Sequence, residues 1–124
     1  MQNTELYRRG VVLPLDNDAE EALRSNEVDE ATNVRLLEIA DEVQFEALWR
    51  LGLFQEINAR CATMIDDYEQ EIVEAASVER ILAAIDAVAR DAVIKHPEMA
   101  EFLEDLRDLA RQAALSSRPL LFVL

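Results

Sequence analysis

Leu36-Leu37-Glu38-Ile39-Ala40-Asp41-Glu42-Val43-Gln44-Phe45-Glu46-Ala47-Leu48-Trp49-Arg50-Leu51-Gly52-Leu53-Phe54 is the segment that sets the architecture. Its apolar residues Leu36, Ile39, Ala40, Val43, Ala47, Leu51 and Phe54 recur every three or four positions, the signature of an amphipathic helix. The spacing predicts one helix running from about residue 27 to 51. Toward Trp49 the segment turns apolar on most sides, which places it centrally in a core. Gly52 reads as a left-handed helix end with Leu53 folding back on the last turn. A continuous helix through Gly52 is the alternative, at a cost of about 1 kcal/mol.

Downstream, Phe54, Ile57, Cys61, Met64, Tyr68, Ile72 and Ala75 form a second stripe, which flows without a phase break into Val78, Leu82, Ile85, Ala89 and Ala92. One helix of that length lies far above the mean of about 11–12 residues. Ser77 is the one N-cap candidate nearby, so the stripe is divided near residues 75–77. Its continuity leaves room for a coiled-coil or homodimer. Pro97 suits a first helical position. Met99, Phe102, Leu103, Leu106, Leu109, Ala110 and Ala113 then give an amphipathic helix to about Leu115.

Upstream, Asp16-Asn17-Asp18 supplies a turn and starts a short helix over 19–24. Residues 5–15 read as extended, and Pro14 restricts them to a sheet edge. The chain closes on Leu120-Leu121-Phe122-Val123-Leu124, expected to lie as a strand beside residues 10–15. The fold expectation is mainly α: an irregular bundle of four to five helices with a minor two-stranded element from the two termini, in one domain over 1–124.

Charge narrows the function classes. There are 26 acids against 12 bases, a net charge of −14 in 124 residues. Residues 16–46 hold eleven acids and two bases, and residues 66–74 hold five acids and no base. Such a balance disfavours nucleic acid, whose binding needs cations to displace counterions, and it disfavours anionic membrane surfaces. It favours a basic protein partner, or solubility alone. One cysteine excludes an internal disulfide, no stretch approaches a membrane span, and the start lacks signal-peptide regions. These features point to a cytoplasmic protein, and eleven arginines against one lysine suit a GC-rich bacterial coding sequence.

No constellation carries catalysis. Zinc wants several Cys and His, and the chain has one of each. Asp16, Asp18, Glu20 and Glu27 match calcium-loop positions, but Glu21 stands where the loop needs glycine. Cys61 lies in the apolar stripe as an inert core cysteine. His96 ends a helix beside Lys95. Neither a nucleophile elbow nor a phosphate loop is present. The expectation is no catalytic residue, no metal and no cofactor.

The acidic faces remain. Glu38, Glu42 and Glu46 stand at successive i, i+4 positions of the expected helix, and Asp67, Glu71 and Glu74 repeat the theme with no base in reach. Like charges so spaced cost about 0.2–0.5 kcal/mol per pair, so neutralising them should leave the free chain as stable or slightly more so. Trp49 and Tyr68 lie nearest, as aromatic anchors ringed by acids. These eight residues are the candidate partner-binding surface. The function they suit is an inhibitor or immunity-type protein that occludes a basic toxin or nuclease-like domain. A secretion chaperone or adaptor binding through an apolar groove or strand edge is the alternative, and a carboxylate-dependent metal enzyme is a distant third.

Overall fold

The computed structural model describes residues 9–25, 27, 31–66 and 70–124. Within them lie five α-helices and a four-stranded antiparallel sheet. The order is β1 (Gly10–Pro14), α1 (Asn17–Arg24), β2 (Val34–Glu38), α2 (Glu42–Leu51), α3 (Leu53–Cys61), β3 (Gln70–Val73), α4 (Glu79–Lys95), α5 (Ala100–Ser116) and β4 (Leu120–Val123). Short 3-10 turns at Ala75–Ser77 and Pro97–Met99 lead into the two long helices.

The strands run β2-β1-β4-β3 across the sheet. The two terminal segments do pair, Gly10 opposite Val123 and Val12 opposite Leu121. They are not a minor element, however. β1 lies between β2 and β4, and β4 between β1 and β3. β1 is therefore a central strand, and Pro14 is tolerated because it is the last residue of that strand. Gly10 is needed where β1 and β2 approach: a Cβ there would collide with the Leu37 carbonyl oxygen.

Alternation along the strands sends Val11, Leu13, Val73, Leu120 and Phe122 to one side, into a core shared with α2, α3, α4 and α5. Val12, Leu121 and Val123 go to the other side, where Leu23 of α1 packs on them. The sheet is thus covered on both faces, which explains why all of residues 120–124 are buried. A bundle with a β appendage becomes helices layered on a sheet.

Two expected helical stretches are strands instead. Within the helix predicted from about residue 27 to 51, residues 28–30 lie outside the described residues, Val34–Glu38 pairs with β1, and the helix that is present, α2, begins at Glu42. The Leu36, Ile39, Ala40, Val43 spacing is compatible with a helix, but the ladder to β1 takes up the β2 backbone groups on one side, and pairing overrides local period. The true start of α2 has a local signal. Asp41 accepts from the Gln44 amide at 2.9 Å, and the Gln44 side chain reaches back to the Ala40 amide at 2.7 Å, a variant of the capping box. Gly52 ends α2 with φ 90°, and Leu53 folds into the core as expected.

The second stripe breaks earlier than residues 75–77. Ala62 takes a left-handed conformation. The Asn58 side chain then organises the turn, donating to the Ile65 carbonyl at 3.0 Å and accepting from the Ile65 amide at 2.7 Å. The chain continues into β3, with Met64 exposed rather than in the core. Ser77 is not an N-cap: α4 begins at Glu79 without a side-chain cap. The Ser77 carbonyl instead accepts a 3.6 Å bond from the Cys61 thiol. No helix among the described residues is long and apolar enough to cross a membrane.

Candidate functional site

Glu42, Phe45, Glu46, Trp49 and Arg50 share one side of α2 and line a groove of about 310 Å³. Their spacing puts them there, since positions three and four apart are neighbours on a helix surface. The floor is aromatic. Phe45 and Trp49 meet edge to face at 6.3 Å, and Trp49 lies 4.9 Å from Phe54, which makes a perpendicular contact with Phe122 of β4 at 6.5 Å. An aromatic chain thus runs from the groove into the core, and it holds Trp49 in a fixed place.

The rim is charged. The Arg9 guanidinium lies over the Phe45 ring at 4.1 Å from its centroid and donates to Glu42 at 2.8 Å. Its Nε donates to the Leu124 carbonyl at 3.2 Å. Arg50 reaches Glu46 at 3.4 Å, with both side chains more than half exposed. Glu42 also sits in the first turn of α2 and Arg50 in the last, each at the end that suits its charge.

The eight sequence candidates do not form one surface. Glu42, Glu46 and Trp49 come together in the groove. Glu38 does not, because it is the last residue of β2, opposite Gly10. The i, i+4 run of three carboxylates therefore does not exist. The two that remain on α2 have cationic partners, so neutralising Glu42 removes a favourable pair instead of relieving repulsion. Asp67 and Tyr68 lie outside the described residues. Glu71 sits on β3, and its Oε2 accepts from the Met64 amide at 3.3 Å.

Glu74 does have a base in reach. Arg24 of α1 clasps it through two bonds of 2.8 and 2.9 Å. Arg24 also pairs with Glu20, and Arg118 reaches Glu20 and Asn17 at 2.9 Å each. This network ties α1 to the residues that follow β3 and precede β4. The Arg24 guanidinium holds the Glu74 carboxyl below its ordinary value. A lowered folded-state pKa means that the stabilisation is complete above the ordinary value of 4.5 and lost as pH falls below it. Both groups are largely exposed, so the contribution is at most about 1 kcal/mol. Glu74→Gln should melt slightly below wild type at neutral pH, and the gap should close on acidification below that value. A gap independent of pH would show that the clasp contributes nothing through charge.

Among the described residues no polar or charged side chain is buried, and no three His, Cys, Asp or Glu side chains gather as metal ligands do. Asp16 is spent capping α1, accepting from the Ala19 amide at 2.8 Å, and on Asn33 at 2.9 Å. Those bonds hold its carboxyl below the usual range. Burial pushes the Cys61 thiol up, with Arg80 opposing, which leaves less of the reactive thiolate. His96 caps the end of α4 and approaches Glu98 at 3.4 Å.

Sequence reasoning left Phe45 and Arg9 out of the candidate surface, and read Arg50 only as a base flanking the acidic face. Phe45 carries a readable signal, since Glu42-x-x-Phe45 and Glu46-x-x-Trp49 repeat one turn apart. Arg9 carries none, because its contact with α2 crosses 33 residues. No protein-family model, curated protein or solved structure matches the chain.

Proposed function

We propose that this protein is a non-enzymatic binding module that covers a basic surface of a partner protein, as an inhibitor or immunity protein does, with α2 as its contact element. The observation that carries this reading is a partly exposed Trp49, anchored from below by Phe54 and ringed by Glu42 and Glu46, on a chain of net charge −14. The acidic field would steer a cationic partner and raise its association rate at low salt. Trp49 would then supply the desolvated anchor that dominates such interfaces.

An adaptor that binds through a strand edge is the second reading. Among the described residues β2 pairs with β1 alone, and its Leu36 is 41% exposed. A β2 edge of this kind can add a partner's strand. The C-terminal segment cannot serve that role while folded, since β4 has neighbours on both sides.

The two readings separate in one experiment. The full chain is immobilised and exposed to soluble protein from its host at low salt. The expected catch is a basic protein that moderate salt elutes and that a Glu42→Gln, Glu46→Gln double variant retains poorly. A catch that resists salt, ignores the double variant and disappears with Leu36→Lys would replace the charge reading with the edge reading.

A further inference from the structure

We propose that the α2 groove is a guanidinium site: it takes an arginine side chain of the partner, stacked on the Trp49 indole and paired with Glu46. This rests on the cationic-partner reading and narrows it from charge in general to one side chain.

The molecule contains a pattern for the site. Glu42 and Phe45 stand three residues apart on α2, and Arg9 fills the cradle that they form, over the ring at 4.1 Å and on the carboxylate at 2.8 Å. Glu46 and Trp49 repeat that pair one helical turn later, with the same spacing on the same side of the helix. An indole holds a cation better than a phenyl ring does. Both pairs line the groove, and the first already holds Arg9.

The present partner of Glu46 is replaceable. Arg50 meets Glu46 at 3.4 Å from the next turn, and the side chains are 70% and 56% exposed. An ion pair that open contributes little, so an incoming cation can displace it. Arg9 is held more firmly, with a ring, a carboxylate and the Leu124 carbonyl as partners. The groove also has the required polarity, an aromatic floor with carboxylates at its margin. Arginine fits better than lysine because a planar guanidinium can stack on the ring and still direct N–H groups at a carboxylate, and it sheds water more readily.

The test uses two peptides of equal charge, eight arginines and eight lysines, titrated against the full chain at low ionic strength. Trp49 is the only tryptophan in the chain, so its fluorescence reports on this groove directly. The arginine peptide should bind about three- to tenfold more tightly and perturb Trp49 emission more strongly. Glu46→Gln and Trp49→Leu should each remove most of that preference, read for the second by anisotropy of labelled peptide. Glu46 is exposed, so its variant tests the site even if Trp49→Leu folds poorly. Equal binding of the two peptides, or a preference that survives Glu46→Gln, overturns the guanidinium site and leaves the cationic-partner reading standing. Binding of neither peptide overturns both.

Discussion

Deletion of residues 120–124 is expected to abolish cooperative folding. β4 is an interior strand, bonded to β1 on one side and β3 on the other. Its removal strands β3 and leaves β1 with one partner. All five residues are buried, with Leu120 and Phe122 wholly so. At about 1.5–3 kcal/mol for each large side chain, their burial contributes roughly 8–15 kcal/mol, which matches the whole stability of about 5–15 kcal/mol for an ordinary domain. A marginal strand pair from the termini would have implied only a few kcal/mol. Thermal melts followed by near- and far-ultraviolet circular dichroism check the difference. A truncated chain that still melts sharply within a few degrees of the full one would show that the sheet does not depend on β4.

Phe54→Ala is expected to cost about 3–5 kcal/mol, the usual penalty for emptying a buried aromatic position. Phe54 is 1% exposed, and its ring meets those of Phe45, Trp49 and Phe122. The same substitution removes the support beneath Trp49. Urea unfolding should show a lower midpoint with an unchanged slope, and native Trp49 emission should shift toward that of a hydrated indole. A loss under about 1 kcal/mol with unaltered emission would mean that Phe54 does not join the groove to the core.

Several elements were legible locally. Asp16 starts α1, Gly52 breaks the chain where expected, and α5 follows its apolar stripe to Ser116. The apolar C-terminus does lie beside β1. What failed was long-range. β2 has only one β-branched residue, Val34, both β2 and β3 sit within stretches of helical spacing, and their state is decided by partners far along the chain: Leu37 lies opposite Val11, and Ile72 opposite Leu121. The turn after α3 rests on Asn58 bonding backbone seven residues away, which hydropathy does not register. The charge pattern misled in the same manner. Glu74 has no base near it in sequence, yet Arg24 reaches it across 50 residues. Half of the groove could be read because Glu42, Glu46 and Trp49 lie on one real helix. Glu38 falls outside the groove because residues 34–38 form β2, whose pairing with β1 local spacing does not reveal.

The most direct test of α2 as the contact element is the association rate of the captured partner across a salt series, with net charge held equal between two variants. One carries Glu42→Gln and Glu46→Gln. The other carries Glu101→Gln and Asp105→Asn, exposed positions on α5. With α2 as the contact, the first variant should associate about three- to tenfold more slowly at low salt and show a flatter salt dependence, while the second stays near wild type. Equal slowing of both variants would mean that overall charge, and not the α2 groove, governs encounter. Wild-type rates for both would remove charge from recognition altogether.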